Sequence, residues 1–399
     1  MEFSFVQLMD LPNEILMIIL KKLDNVDVLY SLMDVNTRLN QIVHDSIFTT
    51  KITLMKPIDQ TLIQPDLLLD RFCSQILPKI HHKIKWLKLE SASMEHILLA
   101  GDYPNLCQLD IFIMHKKPVI HFSGKKSNFH SFNHPIIKKD INLEVIVPFL
   151  QRMSNLEKLA LYLLIECQER FIDGNDLKKN IISHMPKLND FVFNICSIIP
   201  LDNHQIHLPS NEDIQRTLIG FTNHQVISCV DYFSNKKNGY CHIYTYPYTM
   251  IHYENLTNNF SGGLFKCVQT VKLFDERPFE HTFFMRIAQS FPFLKYLTVS
   301  NWQPQNDKQR QKSNDDNQDF SIIEYPNLIT LHLLHIHDDY AEQFLLDTKT
   351  YLPNDIHLVV DYDLLQRVTH NFTRDATRIN YSKVKDLEFH DQVDLSKYV

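Results

Sequence analysis

Apolar and polar positions alternate in the same way at several places along the chain. The stretches "YPNLCQLDIF", "MSNLEKLALYL", "MPKLNDFVFNI", "FPFLKYLTVSN" and "YPNLITLHLLH" each pass from a small turn into L-x-x-[LF]-x-[LFIV], with leading residues Leu106, Leu156, Leu188, Leu294 and Leu328. A period of two puts the apolar residues on one face of a strand and the intervening residues on the other. Weaker copies begin at Ile84, Val268 and Val384. Ahead of several copies, "SMEHILLAG", "INLEVIVPFLQRM", "NDLKKNIISHM" and "EHTFFMRIAQSF" carry apolar residues three or four apart, the spacing of a helix with one buried stripe. The repeating unit is therefore helix, tight turn, short strand. No such unit buries its apolar side alone, so the units are expected to stack, with their strands in a parallel sheet.

In this pattern the residue after the last apolar position faces the open side of the sheet, which places Phe112, Tyr162, Phe274 and Leu334 there. Residues between the last two apolar positions, including Lys272 and His332, are expected to line the same face. Aromatic anchors among polar groups are the usual make-up of a binding hot spot, so these six are the expected substrate contacts. Three segments interrupt the array. "VISCVDYFSNKKNGYCHIYTY" alternates on both sides of an Asn-Gly pair and predicts an inserted hairpin at about 224–248. Residues 303–319 hold no apolar side chain and predict a mobile surface loop that adds nothing to the core, and 115–135 predicts another loop.

The first 48 residues follow a different pattern. In "LPNEILMIIL" six apolar residues run without a break from Ile15 to Leu20, more than one stripe of a surface helix needs. Pro12 suits a first helical position, and Glu14 lies near the positive end of the helix dipole. Asp27 opens a second helical stretch, and Asn36 is placed to cap a third that carries Leu39, Ile42 and Val43 inward. Three helices in so short a span bury little core by themselves, and a helix apolar on two sides needs a second protein to cover it.

These residues carry two family resemblances. Leu11-Pro12, Glu14-Ile15-Leu16, Ile19-Leu20, Leu23, Asp27, Leu29, Val35-Asn36, Arg38 and Ile42 stand at the positions of the F-box motif over residues 9–48, with Leu39 where an aromatic is often found. The later units, over roughly 84–390, resemble leucine-rich repeats, although the usual Asn or Cys after the strand is matched only by Cys196. The resemblances imply an α/β chain: a three-helix F-box at 1–48, a linker with a helix at 49–83, and an irregular leucine-rich-repeat solenoid with a curved parallel sheet at 84–399. They imply a substrate-recognition subunit of a Skp–cullin–F-box ubiquitin ligase. Leu11, Pro12, Glu14, Ile15, Leu16, Ile19, Leu20, Leu23 and Leu29 would bind the Skp adaptor, a cullin would join through it, and the repeats would hold a protein substrate.

Composition narrows the alternatives. A net charge of −7 leaves no broad phosphate-binding surface and argues against a nucleic-acid partner. No apolar run approaches a membrane span and "MEFSFVQ" lacks a basic leader region, so an intracellular protein of cytoplasm or nucleus is expected, without a membrane partner. Seven cysteines with no C-x-x-C pair fit reduced thiols. With only 7 glycines, neither a dinucleotide fingerprint nor a phosphate loop can be written. His332, His335, His337, Asp338 and Asp339 form the densest group of metal-capable side chains, but no third ligand group at a recognisable spacing accompanies them. No catalytic residue, metal or cofactor is therefore expected, and the chain is read as a binding protein rather than an enzyme. A scaffold or adaptor without a ubiquitin-ligase role is the alternative.

Overall fold

A computed structural model of the chain describes residues 8–55, 69–114, 143–153, 155–201, 208–220, 224–306 and 321–390. A single turn at Leu8–Asp10 leads into helix α1 (Asn13–Leu20), followed by α2 (Asn25–Leu32), α3 (Thr37–Val43) and the short α4 (Ser46–Thr49). Asn36 caps α3 as its sequence suggests, its side chain accepting from the Leu39 amide. Pro12 sits one position earlier than expected, as the cap residue of α1 rather than its first helical residue.

The chain then enters a seven-stranded sheet at β1 (Lys51–Leu54). A helical run over 72–83, including α5 (Leu77–Ile80), leads to β2 (Trp86–Glu90). After it come α6 (Ser91–Leu99), β3 (Gln108–Met114), α7 (Leu143–Gln151), β4 (Lys158–Glu166), α8 (Gly174–Asn180), β5 (Asp190–Pro200) and α9 (Asn211–Thr217). β1 through β5 are parallel neighbours, with Leu87, Leu109, Leu159 and Phe191 in one register row and Leu89, Ile111, Leu161 and Phe193 in another. Both rows are buried in one core with Met94, Ile97, Ile146, Leu150, Leu177 and Ile214 of the helices. That core continues through Phe72, Ile76, Phe48 and Ile52 to Leu16 and Leu29. Part of the segment expected to be a linker thus supplies the first strand and part of the core.

The expected hairpin forms β6 (Gln225–Phe233) and β7 (Asn238–Tyr246), but its turn lies at 234–237, with Lys237 at φ 49°. The Asn-Gly pair is already in β7. Gly239 is needed there for space, since a Cβ would stand 2.9 Å from the Tyr232 ring and 3.0 Å from that of Phe171.

The parallel sheet does not continue beyond the hairpin. β7 pairs antiparallel with β5, β6 becomes the edge, and a second, six-stranded sheet begins at β8 (His252–Leu256). It is parallel throughout, in the order β15-β14-β12-β10-β9-β8, from β9 (Thr270–Phe274), β10 (Tyr296–Asn301), β12 (Thr330–Ile336), β14 (Ile356–Asp361) and β15 (Val384–His390), while β11 (Ile323–Glu324) and β13 (Thr350–Tyr351) pair with each other in a separate parallel sheet. Helices α10 (His281–Ser290), α11 (Asp338–Leu345) and α12 (Tyr362–Val368) pack into its core through Phe284, Phe344 and Leu365. Alternation along β7 explains the break: Ile243 enters the first core, while its neighbour Tyr244 joins the second with Tyr248, Tyr253 and Phe265. One uninterrupted sheet would have left Tyr244 facing water.

The loop expected at 303–319 is anchored where it starts. Gln305 is 4% exposed, its backbone amide donates to the Asp339 carboxylate at 2.8 Å, and its side-chain amide donates to the Phe279 carbonyl at 2.9 Å. This corrects the expectation that the whole stretch stands clear of the core; 307–319, like 115–135, lies outside the described residues. Among the described residues no helix is long and apolar enough to cross a membrane.

Candidate adaptor-docking face

Helix α1 sorts its unbroken apolar run onto two sides. Leu16 and Leu20, one turn apart, are buried in the core. Ile15, Ile18 and Ile19 share the opposite side at i, i+3 and i+4 and are 42%, 57% and 41% exposed. Leu23, just past the helix, is also exposed, as are Pro12 and Glu14, while Leu11 is half-buried. Of the residues expected to meet an adaptor, Leu16, Leu20 and Leu29 are therefore corrected to core positions; all three are buried in the one core that runs from the helices into the first sheet. The structure adds Leu8, Met9 and Ile18 to the exposed apolar set. Ile18 was legible from the period of 3.6, whereas Leu8 and Met9 precede the helix and give no periodic signal.

The approach to α1 is held by Arg38 of α3. Its Nε donates to Asn13 Oδ1 at 2.8 Å, one terminal nitrogen to the Met9 carbonyl at 2.6 Å, and the other to the Leu11 carbonyl. The rest of the bundle is fastened to β1 and to the helical run ahead of β2. Asn25 donates to the carbonyls of Ile47 at 3.0 Å and Lys51 at 2.8 Å, joining the start of α2 to β1. Lys79 pairs with Asp34, whose carboxyl it holds below the usual range, and Arg71 stacks over the Tyr30 ring at 4.5 Å. Lys83 donates to the His44 carbonyl at 3.2 Å; burial first, then the charges of Lys83 and Lys79, push the His44 pKa down.

The residues expected on a substrate face are divided between the sheets. Phe112 and Tyr162 pair in register on β3 and β4 and stack at 4.4 Å, with the Lys88 ammonium 4.7 Å from the Phe112 centroid. Both rings are half-buried against the second core, and the Tyr162 hydroxyl is 3.1 Å from that of Thr249. Beside them the Trp86 indole donates to Asp110 at 3.0 Å, and burial raises the pKa of that carboxyl. Phe274 is corrected to a covered position, because the hairpin folds over it: Phe233 lies 5.0 Å away edge-on and the Lys236 ammonium 3.3 Å from its centroid. The backbone amides of Asn235 and Lys236 donate to Glu276, fixing the hairpin tip on the second sheet. Lys272 pairs with Glu254 at 2.9 Å, and Lys272, Thr298 and His332 form one row across β9, β10 and β12. His332 and Leu334 are half-buried.

Two other features bring polar side chains together. A cavity of about 40 Å³ between hairpin and second sheet is lined by Cys229, Asp231, His242, Glu254 and Thr257, among others, and is large enough only for water. Asp231 there accepts from Thr257 at 2.9 Å and Asn259 at 2.5 Å. In the histidine-rich run, His337 accepts from the Asp339 amide and caps α11. No three His, Cys, Asp or Glu side chains converge on a metal position among the described residues.

Comparison with curated proteins finds no match to the chain. Residues 8–51, which hold the exposed apolar helix face and the arginine that braces its approach, match the F-box domain family, so the chain carries an F-box domain.

Proposed function

We propose that this chain is a substrate-recognition subunit of a Skp–cullin–F-box ubiquitin ligase, its F-box domain implying a Skp-binding adaptor, with a cullin joined through the Skp protein and a protein substrate held by the sheets. It has no reaction of its own and needs no cofactor; its contribution is to hold a target lysine near a ubiquitin-charged enzyme, where proximity accelerates transfer. It works in the cytoplasm or nucleus. The observation that carries the reading is the exposed side of α1, Ile15, Ile18 and Ile19, within the matched domain. The two sheets are read as an irregular leucine-rich-repeat solenoid, supported by parallel strands whose L-x-x-L-x-L leucines are buried, among them Leu159, Leu161, Leu331 and Leu333.

Affinity purification of the tagged chain tests this, with an Ile15→Ser/Ile18→Ser/Ile19→Ser variant as control. Point changes on the exposed side are preferable to removing residues 1–48, because truncation would strip Phe48 and Leu29 from a core shared with the first sheet. Recovery of a Skp adaptor and a cullin with wild type, and of neither with the variant, supports the reading. Recovery of the adaptor without any cullin favours a scaffold role, and recovery of neither with wild type refutes the ligase reading.

A further inference from the structure

We propose that Arg38 is a positioning residue for adaptor docking, which rests on the function just proposed: it braces residues 9–13 so that Leu8 and Met9 extend the apolar side of α1. The helix begins without a capping side chain, since Pro12 offers neither a side-chain acceptor nor an amide proton. Within the approach itself, the Leu11 amide reaches the Leu8 carbonyl only at 3.4 Å. Arg38 supplies the remaining order from a neighbouring helix. One planar guanidinium reaches three acceptors on alternate residues, Met9, Leu11 and Asn13, and its rigid fork dictates where all three lie. These acceptors are uncharged oxygens, so the bonds set shape rather than neutralise charge.

The consequence is a larger docking face than the helix alone provides. Leu8 and Met9 are 48% and 38% exposed in the turn directly ahead of Pro12 and Ile15. A chain segment ordered before binding loses less conformational freedom when it binds, so bracing these residues strengthens docking without adding a contact of its own. Lysine cannot replace the arginine here. Its single ammonium on a flexible stem reaches one or two of the acceptors and fixes no plane.

A double-mutant cycle separates this role from general stability. Affinity for purified Skp adaptor and melting temperature are measured for wild type, Arg38→Met, Leu8→Ala/Met9→Ala and the combined variant, with Arg38→Lys beside them. Arg38→Met is expected to bind roughly tenfold more weakly, the scale of losing pre-organisation over a few residues. Leu8→Ala/Met9→Ala should lose a similar factor, and the combination should be little weaker than either parent, because both changes remove the same contribution. Arg38→Lys should bind like Arg38→Met. Amide exchange in Arg38→Met should speed up at Leu11, whose amide donates to the Leu8 carbonyl, while the strands of the first sheet stay protected. Additive losses, full affinity in Arg38→Lys, or unchanged exchange at Leu11 would each overturn the proposal alone. A wild-type chain that does not bind the adaptor overturns the functional reading and this proposal with it.

Discussion

Replacing Ile15, Ile18 and Ile19 together by Ala should remove adaptor binding and leave the fold untouched. Burying a whole isoleucine side chain stabilises by roughly 1.5–3 kcal/mol. Ile18 is 57% exposed, so covering it on docking is worth about 0.9–1.7 kcal/mol, and its two neighbours at 42% and 41% each somewhat less. The three together contribute about 2–4 kcal/mol, which corresponds to roughly 30- to 1,000-fold in affinity. Alanine is the better helix former, so α1 should not weaken. Titration calorimetry with purified Skp adaptor reads the first quantity and a melting curve the second. Binding within threefold of wild type would refute the assignment of this side as the docking face; a fall in melting temperature comparable with that of a core truncation would mean that the three side chains are packed and the exposure is misjudged.

Leu16, fully buried one position away, should behave in the opposite manner: Leu16→Ala is expected to cost about 2–5 kcal/mol of stability, seen as an earlier transition in urea, and an unchanged midpoint would contradict its core placement. Phe274→Ala should cost about 3–5 kcal/mol, because Phe233 and the hairpin lose their support; a variant that melts normally would return Phe274 to the open face. Asp110→Asn should stabilise at pH 7 and change little below the ordinary aspartate pKa. Burial raises the folded pKa of Asp110, so its stabilising contribution is complete below the unfolded value and is lost as pH rises through the folded one. Asparagine can still accept from Trp86 while the Gln108 amide reverses to meet it. Melting temperatures of the two proteins that ran parallel from pH 3 to 8 would disprove the effect.

The strands and the bundle were legible because their signals are local. Alternation in "NLEKLALYL" places Leu159 and Leu161 inward whatever lies beside them, and Asn36 caps α3 through its own neighbours. The side of α1 that meets solvent needed more. Both Leu16 and Ile15 sit in an apolar run, and only the position of the shared core decides which is covered. The break between sheets was illegible for a related reason. "NGYCHIYTY" alternates as any strand with two usable faces would, and its pairing with β5 rather than with a later strand is a long-range choice. The turn falls short of Asn238-Gly239 although that pair carries the strongest hairpin signal in the segment, because here Gly239 makes room for the Tyr232 and Phe171 rings instead.

The break also changes what the sheets can offer a partner. In a single uninterrupted array, Phe112, Tyr162 and Phe274 would line one face together with Lys272 and His332. Here Tyr244 turns the second core against the open side of the first sheet, Phe112 and Tyr162 become its fringe, and Phe274 holds the hairpin. The aromatic side chains thus join the two halves of the molecule. What remains toward solvent on the second sheet is a row of mixed chemistry, the Lys272–Glu254 pair, Thr298 and His332, with His357 facing Glu388 at 3.4 Å beyond it. A substrate recognised there would be read by hydrogen bonds and charge more than by an apolar anchor, so its capture should weaken with salt, whereas docking through the isoleucines of α1 should not. The two activities assigned to the chain can therefore be told apart by ionic strength alone.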